Sequence, residues 1–71
     1  MERFSLIGVD GNAFSLMGYT AKAMRMSGFT KDEIDKMYEE ATSSDYTYLI
    51  GVCSKYVDEA NKRIEDMSET E

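Results

Sequence analysis

The chain has 71 residues, a formal net charge of −6, one cysteine, no histidine and no proline. A chain this short makes one small domain with a marginal core; Cys53 alone cannot form an internal disulfide, and without histidine the usual zinc donor sets are absent, so neither a metal nor a cofactor is expected. The lone cysteine fits a reducing compartment, no secretory-type leader stands at Met1-Glu2-Arg3, and no apolar run nears the roughly 20 residues of a spanning helix, so a cytoplasmic protein with no membrane contact is expected.

Residues 3–9, Arg-Phe-Ser-Leu-Ile-Gly-Val, predict a short extended strand, because Phe4, Ile7 and Val9 favour strand geometry. Asp10-Gly11 closes it with a turn signal, and Asn12 is a good helix N-cap. The first helix is predicted over about 13–26. Phe14, Met17, Ala21 and Met24 recur at spacings of three and four, and Leu16 and Ala23 widen that face. Gly18 inside it is expected to admit a close backbone neighbour, and Ser27-Gly28 supplies the stop.

The second helix, about 31–42, has the clearest start. Thr30-Lys31-Asp32-Glu33 is a capping-box pattern, and Phe29 and Ile34 hold the positions of a hydrophobic staple. Ile34, Met37, Tyr38 and Ala41 form a narrow apolar stripe on an otherwise charged helix. Thr42-Ser43-Ser44-Asp45 breaks it, and Ser44 or Asp45 can cap the third helix, about 45–65. That helix carries Leu49, Cys53, Tyr56, Ala60, Ile64 and Met67 on one row, with Tyr46, Ile50 and Val57 beside it. Glu65 and Asp66 oppose the dipole at a helix C-terminus, so fraying is expected from about Ile64. One domain, residues 1–67, with a disordered tail at 68–71, is the expected organisation. The fold class is mainly α (α+β at most): a short N-terminal strand, then three helices.

Charge is unevenly placed. Arg3, Lys22 and Arg25 against Glu2 and Asp10 leave the first 30 residues at +1, so residues 31–71 carry −7. This disfavours direct contact with nucleic acid and could suit a basic protein surface.

Two mismatches point to a partner. A lone strand at 3–9 leaves unpaired backbone groups, met either by irregular packing over the helices or by pairing with a second copy. A helix of about 20 residues spans roughly 30 Å, whereas a compact globule of this length has a diameter of roughly 28 Å. Ala60, Ile64 and Met67 are therefore expected to reach past the core. Homodimerisation is the expectation.

Catalytic patterns are absent. Asp10-Gly11-Asn12 opens like a calcium loop, but Phe14 stands where a third ligand belongs. The glycines match no phosphate-binding loop. With no histidine the usual base for a nucleophile is missing, and Cys53 falls on an apolar helix face. Glu39/Glu40 and Asp58/Glu59 are adjacent on helices and point apart. A helix-turn-helix reading of Gly28 to Ile34 fails because the third helix offers only Lys55 in its first three turns. Tyr46 and Tyr48, two apart on one helix, cannot both face the core. Met26, Tyr46, Tyr48, Ile64 and Met67 are the residues expected to make exposed or inter-chain contacts.

Leu6-Ile7-Gly8-Val9-Asp10-Gly11-Asn12-Ala13-Phe14 with Leu16-Met17-Gly18, and Glu40-Ala41-Thr42-Ser43-Ser44-Asp45-Tyr46 with Leu49-Ile50, together resemble a group of short proteins of no known function in bacterial, phage and plasmid genomes. The resemblance spans about residues 6–57, with glycine more frequent in the group where Ser44 stands. It implies a shared fold and no activity. The expected function is thus a non-enzymatic, homodimeric protein-interaction module. The alternatives are an acidic phage- or plasmid-type inhibitor of a nucleic-acid-handling protein, favoured if its carboxylates line up, and a small enzyme, which would need a cleft with converging polar groups.

Overall fold

The computed structural model of the protein describes the backbone of residues 3–69 and the side chains of residues 3–66. It is mainly α: three helices, α1 (Ala13–Met26), α2 (Lys31–Ala41) and α3 (Tyr46–Glu69), each packed against the other two. α2 runs antiparallel to α3, since Glu33 meets Arg63 while Glu40 meets Lys55 and Tyr56. α1 and α3 run the same way, with Ala13 and Phe14 near Tyr46 at one end and Met26 near Ile64 at the other.

The helix boundaries follow from their caps. The Asn12 side chain accepts from the Ser15 N–H at 2.8 Å and starts α1. At the far end Gly28 takes φ +94°, the Phe29 N–H reaches the Met24 carbonyl at 3.0 Å and the Gly28 N–H reaches that of Arg25 at 3.3 Å. This is a complete Schellman motif, with Phe29 and Met24 both buried as its apolar contact. Thr30 and Glu33 then close the capping box in both directions, and Phe29 and Ile34 are the buried staple. Phe29 therefore serves the end of one helix and the start of the next. Asp45 caps α3, its carboxylate accepting from the Tyr48 N–H at 2.9 Å.

The core joins Leu16, Met17, Ala21 and Met24 of α1, Ile34, Met37 and Ala41 of α2, and Leu49, Val52, Cys53, Tyr56 and Ala60 of α3. Burying a large aliphatic side chain is worth about 1.5–3 kcal/mol, which makes this row the main source of stability. Thr20, fully buried, returns its hydroxyl to the Leu16 carbonyl at 2.8 Å.

Several expectations need correction. There is no strand among the described residues; the segment before α1 is irregular and lies over α3. Its polar groups are met within the chain. Asn61, itself buried, accepts from the Phe4 N–H at 2.7 Å and donates to the Phe4 carbonyl at 2.9 Å. The Ser5 N–H donates to the Tyr19 hydroxyl at 2.9 Å, and the Val9 N–H to the Leu6 carbonyl at 3.1 Å across a turn with Gly8 at φ +87°. Phe4, Leu6 and Val9 pack partly buried on the core, which explains their strand-like apolar character without a sheet.

α3 continues to Glu69, beyond the expected end near 65, and overlaps the tail expected from 68; residues 70–71 lie outside the described residues. Its late turns are held by ion pairs, Arg63 with Glu33 at 3.2 Å and Arg3 with Glu65 at 2.8 Å, and by burial of Ala60 and Ile64. The molecule accommodates this length by being a slab of 41 × 27 × 14 Å. Gly18 is exposed, and a methyl group placed on its Cα would have no neighbour within 4 Å, so it admits no close-packed backbone.

Candidate functional site

The two turn-and-cap motifs meet at one end of the bundle. Asp10 accepts from the Asn12 N–H at 3.2 Å, which shapes the turn into α1. Gly11 presents its carbonyl to the Tyr46 hydroxyl from the first turn of α3. Ala13, Phe14 and Met17 of α1, with Ala41, Asp45, Tyr46 and Leu49 around the α2–α3 connection, border a shallow groove. Phe14 on its rim is 84% exposed, Tyr46 is 46% exposed and Ile50, one turn further along α3, is 38% exposed. Ile7, 93% exposed, stands farther along α3 beside Ser54 and Asp58.

The helical spacing assigns Phe14 to the core, and the structure corrects this. Phe14 falls in the first turn of α1, at the edge of the arc of buried side chains that begins with Leu16 and Met17. The Asp45 carboxylate on the border of the groove is engaged in capping α3, and that of Asp10 in the turn before α1. What this arrangement offers is aromatic and aliphatic surface with a polar margin of Thr42, Ser44 and Asp45.

The residues expected to make contacts do not form one site. Tyr46 belongs to this end. Tyr48, 47% exposed, lies on another face with Thr47, Gly51 and Lys55. Met26, 62% exposed, borders a cleft at the opposite end together with Ile64. Ile64 is buried at 6% exposure, covered by the chain's own α1 and N-terminal segment, which corrects its reading as an exposed contact. The Met67 side chain lies outside the described residues.

Sequence reasoning missed Phe14 and Ile7 as surface groups. A signal was present for Phe14. Short connections between helices make an up-down-up bundle, and that places the starts of α1 and α3 at one end.

On the α2–α3 seam the electrostatics are self-contained. Glu40 accepts from the Tyr56 hydroxyl at 2.6 Å and from Lys55 at 3.0 Å, and these bonds hold its carboxyl below the usual range. Burial, then the bond to Glu40, pushes the Tyr56 hydroxyl up to about 12. Glu33 is lowered chiefly by the Thr30 N–H and then by Arg63, whose guanidinium sits 3.6 Å over the Phe29 ring. Every buried side-chain polar atom among the described residues has a hydrogen-bond partner. Cys53 is fully buried. No three Asp, Glu, Cys or His side chains among the described residues converge as a metal site, and no described helix is long and apolar enough to cross a membrane.

The chain matches no protein-family model, no curated protein and no solved structure.

Proposed function

We propose that the protein is a non-enzymatic interaction module that pairs with a second copy of itself through the end of the bundle where α1 and α3 begin. The exposure of Phe14, at 84%, on a groove shared with the half-exposed Tyr46 is the observation that carries this reading. An aromatic centre with a polar rim is the usual composition of a protein interface. A two-fold pairing would bury the same side chains twice with one contact type. The unpaired strand of the sequence lends no support, because Asn61 holds Phe4 within one chain, and of the long last helix Ala60 and Ile64 are buried within the chain as well.

Sedimentation equilibrium from micromolar to submillimolar concentration tests the proposal. The wild type is expected to approach twice its 8.1 kDa mass, and Phe14→Asp to stay at 8.1 kDa with an unchanged circular-dichroism spectrum. A wild type that remains at 8.1 kDa throughout overturns the reading.

The alternative, an acidic inhibitor of a nucleic-acid-handling protein, requires carboxylates presented in a row to a basic surface. Glu33, Glu40 and Glu65 face Arg63, Lys55 and Arg3 of their own chain, which takes these three out of such a row. The resemblance to short phage- and plasmid-encoded proteins adds no activity to either reading.

A further inference from the structure

At the end of the bundle away from Phe14, the N-terminal segment, α1 and α3 border a half-open cleft of about 490 Å³. That is within the roughly 300–1,000 Å³ typical of small-ligand sites. Its described lining is Arg3, Phe4, Tyr19, Lys22, Ala23, Met26 and Ile64. Phe4 and Tyr19 meet edge to face with ring centres 6.4 Å apart, and the Tyr19 hydroxyl is committed to the Ser5 N–H. The interior is therefore apolar. Two of the chain's 8 bases line this cleft, and none of its 14 acids does among the described residues. With Arg3 offset by Glu65, the uncompensated charge on this lining is that of Lys22. Arg3 is held by Glu65 at 2.8 Å, while Lys22 makes no ion pair or hydrogen bond among the described residues.

We propose that this cleft binds a small amphipathic carboxylate, its apolar body between Phe4, Ala23, Met26 and Ile64 and its anionic end at the Lys22 ammonium. The shape supplies burial for a hydrocarbon or aromatic body, and the exposed lysine supplies a single charge-assisted contact at the mouth. Lys22 sets the preference for an anion over a neutral molecule of the same length. This cleft and the Phe14 surface are at opposite ends, so failure of one proposal leaves the other intact.

Titration of ¹⁵N-labelled full-length protein with decanoate, and separately with decanol, tests it below the micellar range. Decanoate is expected to give saturable shifts at the amides of Tyr19, Lys22, Ala23 and Met26, with decanol about tenfold weaker, the value of one charge-assisted hydrogen bond. Lys22→Glu should lose that preference and Lys22→Arg should retain it. Lys22 is exposed, so both variants should fold, and a wild-type amide spectrum checks this. Shifts scattered over the surface without saturation, equal binding of decanoate and decanol, or unchanged decanoate affinity in Lys22→Glu would each overturn the proposal.

Discussion

Replacing Asn61 with alanine should loosen the N-terminal segment and lower the stability of the whole domain. Asn61 is 5% exposed and holds Phe4 by two hydrogen bonds, of 2.7 and 2.9 Å. Each is worth about 0.5–1.5 kcal/mol net, so their loss costs about 1–3 kcal/mol. For a domain of this size 1 kcal/mol shifts the melting temperature by roughly 4–8 °C, and a fall on the order of 10 °C follows. Circular dichroism on heating measures it, and hydrogen exchange at the Phe4 and Ser5 amides localises it. Asn61→Asp sharpens the reasoning. Its carboxylate still accepts the Phe4 N–H but sets an oxygen against the Phe4 carbonyl, so at neutral pH it should be at least as damaging as alanine. Protonation restores a donor and raises the folded-state pKa of the new carboxyl, so Asn61→Asp should gain on Asn61→Ala as the pH falls toward about 4, the ordinary aspartate value. A melting temperature for Asn61→Ala within the scatter of surface substitutions would refute the clamp, as would Asn61→Asp matching wild type at neutral pH.

The exposed helical glycines give a contrast with the one that ends α1. Gly18→Ala and Gly51→Ala meet open space and should each stabilise by about 0.5–1 kcal/mol, whereas Gly28→Ala must adopt φ +94° and should cost about 1–2 kcal/mol; urea midpoints report all three. Tyr56 has its hydroxyl pKa raised from 10.0 to about 12, so its contribution is complete below pH 10 and disappears as the pH climbs toward 12. Stability should therefore decline across that alkaline interval in wild type and decline less in Tyr56→Phe, as measured by denaturant titration at each pH. The same substitution removes the first cause of the lowered Glu40 carboxyl. The wild-type loss of stability on acidification through the Glu40 range should shrink with it.

The helices are legible in the sequence because their ends carry chemistry. Asn12, Gly28, Thr30 with Glu33, and Asp45 each satisfy backbone groups that a helix terminus leaves open, and each does so where the pattern places it. The N-terminal segment reads as a strand because apolar residues half-buried on a helix pair look like those on a sheet face. Propensity records the burial and not the neighbour. Asn61, the neighbour that matters, lies 57 residues from Phe4, and nothing in its local sequence marks it as a backbone clamp. Phe14 shows a related gap. Helical period fixes the angle of a side chain about its axis, but not whether a neighbouring element covers it there. The end-of-bundle site is partly readable, since both motifs that frame it stand out as caps, while their meeting through Tyr46 and Gly11 depends on the bundle as a whole.

Phe29 closes the end of α1, opens α2 and carries the Arg63 guanidinium on its ring. The two interhelical joints therefore differ in kind. The joint at 27–30 has no slack: an added residue would separate the stop signal from the start signal and rotate α2 away from the groove it fills. The joint at 42–45 is built from exposed side-chain caps, each acting on only one helix. New chain ends, an inserted peptide or a reporter therefore belong between Ser43 and Ser44, where the bundle can be lengthened or reopened without losing its geometry.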